Sequence, residues 1–263
     1  MIPPILKYPR TPHLSGSALQ RGDSPKTLSI HTLQGQHIVV EEKLDGANSA
    51  VSFSPEGQLL LQSRGHYLQG GPRERHFALL KTWAECMRAD LFDVLGSRYV
   101  MYGEWLYAKH TVFYDRLSHY FHEFDVWDRE LQVFLSTPAR RALCVGLNYT
   151  AVPVLYEGPG LSSEQLLALV QPSVYKSSAW RESLNTQIQQ RGQSSSHVLV
   201  QTEDSDLAEG LYVKVEAEGV VTGRCKYVRP GFVQSLIEGD SHWHSRPILP
   251  NQLAPGVQLF GGA

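Results

Sequence analysis

The segment Glu42-Lys43-Leu44-Asp45-Gly46-Ala47-Asn48 sets a lysine two residues before an acid, with a glycine following. The two-residue repeat of a strand would put Lys43 and Asp45 on one face. A lysine amine becomes a nucleophile once it sheds its proton, and burial or a nearby cation such as a metal ion lowers its pKa. By itself K-x-D-G is a short pattern that a solvated surface lysine also satisfies. Four more clusters follow in order: Tyr102-Gly103-Glu104-Trp105-Leu106, Phe121-His122-Glu123-Phe124-Asp125-Val126, Glu209-Gly210-Leu211-Tyr212-Val213-Lys214 and Arg224-Cys225-Lys226. Alternation gives Arg224 and Lys226 a common face, and paired cations suit a polyphosphate. Taken singly, Glu104 and Asp125 read as strand-edge carboxylates and Phe124 as core. Taken as an ordered set, they read as one site.

The elements that must position these residues are short and mixed. Residues 37–44 read as a buried strand, and 47–54 with 58–63 as a hairpin turning at Pro55-Glu56-Gly57. Helical spacing of Phe77, Leu80, Ala84, Met87, Leu91 and Val94 predicts an amphipathic helix over 74–95. Strands are expected at 98–106, 120–128 and 131–135. A short helix is expected over 138–147, capped by Thr137 ahead of Pro138. Further helices are expected from Leu161-Ser162-Ser163-Glu164 and over 177–191, the latter ending at a polar RGQSSS break. Two or three strands fill 209–230, with Gly219 in a turn. Residues 1–36 read as an extended arm, 37–239 as the main domain, and 240–263, with prolines at 247, 250 and 255, as a tail wrapping the surface. The lack of βαβ regularity favours an α+β fold with antiparallel sheets.

This ordered set resembles the covalent nucleotidyltransferase superfamily of ATP-dependent ligases and capping enzymes, and within it the second type of phage RNA ligase. The resemblance spans about residues 37–229. It implies a ligase adenylation domain in which antiparallel sheets flank an ATP cleft, with helices at the periphery. Lys43 would attack the α-phosphate of ATP to give a lysyl–AMP, with Mg²⁺ or Mn²⁺ as cofactor. The AMP would pass to a 5′-phosphate end of RNA, which a 3′-hydroxyl then seals, on a nicked duplex where a template strand is present. The resemblance further implies catalytic parts for Asp45, Glu209 and Lys226. Glu42 would lie near the adenine edge, Asn48 by the 5′-phosphate and AMP, and Arg64 and Glu104 at the ribose. Phe124 would stack on the purine, a contact worth about 1–3 kcal/mol. Glu209 would hold the metal, while Lys214, Arg224 and Lys226 would neutralise the triphosphate. Arg224 stands where lysine is more usual, which keeps the charge but alters the geometry. A DNA-sealing enzyme, a GTP-dependent capping enzyme and a silent end-binding module share parts of this pattern.

Composition narrows the rest. The 263 residues are 42% hydrophobic and 19% charged, a globular balance rather than a disordered one. The net charge of −2 excludes a chain that coats nucleic acid by overall charge, so contact must come from a local cluster. No apolar run nears the ~18 residues of a membrane span. The N-terminus lacks a signal-peptide pattern, so a cytoplasmic protein is expected. Cys86, Cys144 and Cys225 form neither a disulfide framework nor a zinc ribbon. His119 with His122, and His242 with His244, have no further ligand at a recognised spacing and read as ordinary polarity. His13 would reach the site only if the arm folds back. The 37 residues after Lys226 are too few for an appended oligonucleotide-binding barrel or helical domain, so a nearly isolated catalytic domain is expected, with a partner protein to help capture substrate.

Overall fold

The computed structural model describes residues 2–19, 27–232 and 247–260. Its strands are β1 (His13–Leu14), β2 (Thr27–Leu28), β3 (His37–Lys43), β4 (Ala47–Phe53), β5 (Leu59–Ser63), β6 (Tyr99–Trp105), β7 (Phe121–Asp128), β8 (Val133–Phe134), β9 (Thr150–Ala151), β10 (Val154–Pro159), β11 (Gly210–Ala217) and β12 (Val220–Val228). The helices are α1 (Ala78–Cys86), α2 (Arg88–Leu95), α3 (Thr137–Leu143), α4 (Ser163–Leu167), α5 (Trp180–Gln190) and α6 (Ser195–Val200). The fold is α+β, with two sheets. One runs β10-β3-β11-β12-β1-β2 and the other β5-β4-β6-β7-β8, with β9 beside β7. All pairings are antiparallel except β1 with β12, β1 with β2, and β7 with β9.

Strands β3 and β4 are consecutive yet belong to different sheets, so Leu44, Asp45 and Gly46 carry the chain across. A Cβ on Gly46 would lie 2.6 Å from Leu106 Cδ2 and 2.7 Å from the Trp105 carbonyl, so only glycine fits this passage. Alternation along β3 turns Ile38 and Val40 outward, where they pack with Leu211, Val213, Cys225 and Tyr227 beneath Leu166 of α4. The outer face of the second sheet is covered by α1 and α2 through Leu80, Trp83, Leu91 and Leu95, against Val51, Phe53 and Phe121. Between the sheets lie an aromatic cluster of Tyr8, Tyr102, Phe124 and Phe134 and a set of buried charged side chains.

Several elements depart from expectation. The helix over 74–95 is three pieces: a 3₁₀ segment (Pro72–Phe77), α1 and α2, with Met87 (φ −93°, ψ 9°) outside helical geometry. That break lets Leu80 and Trp83 on one piece and Leu91 and Leu95 on the next all face the core. The cap of α3 is Ser136, whose Oγ accepts from the Ala139 N–H. Thr137 is instead spent on Glu216, donating its hydroxyl at 2.7 Å and its N–H at 2.9 Å. The 209–230 region does hold two strands with Gly219 in the turn, as expected: one hairpin turning at Glu218 and Gly219 with both φ positive (52° and 81°), as a type I′ turn requires. Past the polar break after α5 the chain forms α6. In the arm, β1 and β2 join the first sheet. In the tail, Leu249 and Asn251 are buried rather than superficial, Asn251 donating to the Leu106 carbonyl and accepting from the Tyr114 N–H. Residues 240–246, with His242 and His244, lie outside the described residues. Among the described residues no helix is long and apolar enough to cross a membrane.

Candidate active site

A cleft of about 1120 Å³ opens between the sheets. Lys43, the last residue of β3, stands on its floor opposite Gly210 of β11. That register brings Glu209 alongside, and Lys43 Nζ lies 2.6 Å from Glu209 Oε1. The Lys43 side chain is 23% exposed and that of Glu209 only 2%, so the amine is reachable while the acid is enclosed. The second sheet supplies Asn48 and Glu104, opposite one another on β4 and β6. Glu104 Oε1 accepts the Gly46 N–H at 3.1 Å, fixing the crossing turn against β6. Strand β3 ends before Asp45, which therefore sits in that turn and not on the face of Lys43. Its Oδ2 accepts the N–H groups of Thr111 (2.7 Å) and Val112 (2.8 Å), while its own N–H donates to the Tyr114 hydroxyl.

The charges gathered around Lys43 and the burial of the site shift the titration of Glu104, Glu209 and the lysine itself. Burial pushes the Glu104 carboxyl up to about 8, with Lys43 opposing and Glu209 and Asp45 adding to the rise. Burial also lifts Glu209 to about 7, against the pull of Lys43. Burial alone would lower the Lys43 amine, but the bonded Glu209, with Glu104 and Asp45, outweighs it and holds the amine above its usual range. Glu42 is raised by burial, although Ser173 and the Val174 backbone bond its carboxylate. Its Oε1 is buried without a partner.

Nine of the eleven residues singled out from sequence line this one cleft: Glu42, Lys43, Asp45, Asn48, Arg64, Glu104, Phe124, Glu209 and Lys226. Lys214 and Arg224 do not line it, among the described residues. Lys214 shares its face of β11 with Tyr212 but lies one pleat further from the opening. There it is fully buried, 3.0 Å from Glu41 Oε2 and 3.2 Å from Asp125 Oδ1, and it donates to the Phe124 carbonyl. Arg224 does share a face with Lys226, yet two residues of strand separate them by roughly 6.6 Å. It rests over the Phe134 ring at 4.0 Å and reaches Asp125 Oδ2 at 3.4 Å. Both cations belong to a buried network with Glu41, Glu123, Asp125 and Arg140, the last bridging Glu41 and Glu123.

Other cleft residues carried no sequence signal. Lys109 and His110 follow β6, Arg191 and Gln193 come from the α5–α6 connection, and His197 comes from α6. Tyr8, Pro9 and Thr11 of the arm also line the wall. His13 pairs in register with Lys226, but its Nδ1 lies 2.6 Å from Ser17 Oγ and it is not a lining residue. His119 Nδ1 accepts the Phe121 N–H, and the His122 ring meets Tyr175 edge-on. Among the described residues no three His, Cys, Asp or Glu side chains are grouped to hold a metal by themselves.

A family model described as RNA ligase matches residues 36–228. The chain belongs to the RNA ligase family. The matched span runs from the start of β3 to the end of β12 and holds every residue of the floor described above. Among solved structures the chain is similar to a variant of Naegleria gruberi RNA ligase with ATP and Mn, at 19% identity and a TM-score of 0.51, over 78% of this chain and 53% of that one. It is similar to a second variant of that ligase, also with ATP and Mn, at 17% identity and a TM-score of 0.50, over 85% of this chain and 61% of that one. Such likeness shows a common fold. This RNA ligase family member thus spans between half and two thirds of those solved chains. No curated protein matches it.

Proposed function

We propose that this RNA ligase family member is an ATP-dependent RNA ligase of the phage second type, working through a lysyl–AMP on Lys43. The observation that carries the reading is the reachable Lys43 amine bonded to the enclosed Glu209 at the floor of the cleft. Glu209 Oε1 holds the amine in place at 2.6 Å, and Lys43 must give its proton to solvent before it attacks. The neutral Nζ then forms a bond to the α-phosphorus of ATP as the bond to the β-phosphate oxygen breaks and pyrophosphate leaves. An oxygen of an RNA 5′-phosphate next displaces Lys43, and a 3′-hydroxyl displaces AMP to seal the strand. Asp45 supports the floor by holding the Thr111–Val112 backbone. Lys226 faces the phosphates, Asn48 and Arg64 lie on the wall where phosphate and ribose would rest, and Glu104 meets a ribose hydroxyl. Phe124 offers a ring to the purine. Glu42, next to Lys43 on the lining of the cleft, would lie at the adenine edge.

The donor set also fits a divalent cation. Glu209 Oε2 is buried without a partner, and Glu209 and Glu104 are both raised by burial with Asp45 adding to the rise, as oxygens awaiting positive charge are. Magnesium is commonly held by one or two carboxylates plus water and phosphate, so a cage of protein ligands is not needed. Glu209 would hold Mg²⁺ or Mn²⁺, which when bound supplies positive charge for the phosphates and against the Lys43 proton. The adenylating unit is read as residues 37–239, with 1–36 an arm that completes it and 240–263 a tail. A partner protein would assist capture of RNA ends, and three unpaired cysteines agree with a cytoplasmic setting.

The test is incubation with α-labelled ATP or GTP and magnesium, followed by denaturation. Label from ATP should stay on the protein and vanish in Lys43→Ala. Label from GTP alone would make it a capping-type enzyme, and no label from either would leave an end-binding module. Sealing assays on nicked RNA and DNA duplexes separate the two strand chemistries.

A further inference from the structure

The N-terminal arm crosses the back of the cleft and touches both sheets. The Leu6 carbonyl accepts from Gln62 Nε2 at 2.9 Å and from the Tyr102 hydroxyl at 2.8 Å, both on the second sheet. Six residues later the Pro12 carbonyl accepts the Lys226 N–H at 3.0 Å, and His13 pairs with Lys226 on the first sheet. Between these anchors sits Tyr8, only 7% exposed. Its hydroxyl donates to Asp125 and lies 2.8 Å from the Tyr212 hydroxyl, which in turn lies 2.8 Å from Thr11 Oγ1. Its ring meets Phe124 edge-on, with centroids 5.1 Å apart and planes at 72°. Tyr102 and Phe134 flank the same ring at 5.2 and 5.7 Å. Phe124 is therefore gripped twice, by Lys214 at its carbonyl and by Tyr8 at its ring.

We propose that Tyr8 is a positioning residue for the nucleotide: anchored to Asp125 and Tyr212, it fixes the Phe124 ring in the attitude that receives the purine, so the arm completes the ATP site. The inference rests on Phe124 being the purine platform. Its physical basis is preorganisation, since a ring already held pays less ordering cost when ligand arrives. An arm residue serving only the hydrophobic core would not need two hydroxyl partners between sheets, nor lie on the cleft wall beside Pro9 and Thr11.

The experiment measures initial rates of lysyl–adenylate formation against ATP concentration, with magnesium, on the full chain. Thermal melts identify a temperature at which each variant is folded. Tyr8→Leu should raise KM for ATP about tenfold with kcat within about twofold, the size expected when an aromatic platform loses its support. Tyr8→Phe keeps the ring edge and loses the anchors, and should raise KM only about threefold. A lowered melting temperature with wild-type KM in Tyr8→Leu would overturn the proposal, as would equal losses in kcat and kcat/KM. If Tyr8→Leu does not fold, Tyr8→Phe is combined with Phe124→Leu: non-additive KM ratios support the coupling and additive ratios overturn it. Phe124→Ala separates the two levels. Unchanged KM there removes the purine platform itself, whereas a raised KM there with none in the Tyr8 variants removes only the role of the arm.

Discussion

Two groups of charges lie between the same two sheets and behave in opposite ways. The floor group, Lys43 with Asp45, Glu104 and Glu209, has more acid than base, a partly exposed amine and carboxyls displaced to about 7 and 8. The rear group sets Glu41, Glu123 and Asp125 against Arg140, Lys214 and Arg224, and all but Arg224 are essentially sealed from water. Matched charges with short contacts satisfy one another and hold the sheets together. Unmatched charges at an opening are left to be satisfied by something that arrives. The kind of residue does not distinguish a cation open to a cleft from a structural one. Pairing and depth do.

The strongest way to break the rear group is Arg140→Met, which leaves Glu41 and Glu123 facing each other without their shared cation. Unfolding by urea should show a loss of about 3–5 kcal/mol. A loss below 1 kcal/mol would mean that water or protonation relieves the acids, and the contrast with the floor would fade.

The floor should respond the other way. The Glu104 carboxyl, raised to about 8, keeps its proton where the unfolded chain has already lost it. Its contribution to stability is therefore complete below the ordinary carboxylate range and is lost as pH rises toward 8. Glu104→Gln retains an acceptor for the Gly46 N–H but cannot ionise. Without ligands, the variant should match the wild type near pH 5 and exceed it by about 1–3 kcal/mol at pH 8, after allowance for partial exposure. A stability difference that does not vary with pH would show the acid to be ordinary. The smallest effect serves as the reference. Arg88 pairs with Glu85 at 3.2 Å across the exposed break between α1 and α2, and Arg88→Ala should cost less than about 0.5 kcal/mol in the same denaturation assay.

What could be read in the sequence follows from what is local. Lys43, Asn48, Glu104, Phe124, Glu209 and Lys226 each sit in or beside a short strand motif, and their order along the chain is the order in which two sheets present them to one cleft. Alternation correctly gives Arg224 and Lys226 one face, but it carries no measure of depth, so Lys214 and Arg224 could not be separated from the cations of the cleft. Arg140 left no trace, because an arginine in TPARRAL looks like any helix-surface residue until β3 and β7 are brought together. Tyr8 was hidden for the same reason, its partners Asp125 and Tyr212 being 117 and 204 residues away. The split of the 74–95 helix and the formation of α6 were tertiary outcomes that periodicity does not encode.

The passage of three residues from β3 to β4 bears on how this molecule could be divided. A cut or an inserted tag at Leu44–Gly46 would separate the amine from half of its surroundings and meet the Trp105 carbonyl head-on. The exposed Arg191 in the connection between α5 and α6, with ordinary backbone (φ −90°), would by contrast accept a fluorescent reporter at the cleft, whereas Gly192 beside it, at φ 60°, favours glycine. A two-piece version of the protein should be joined there.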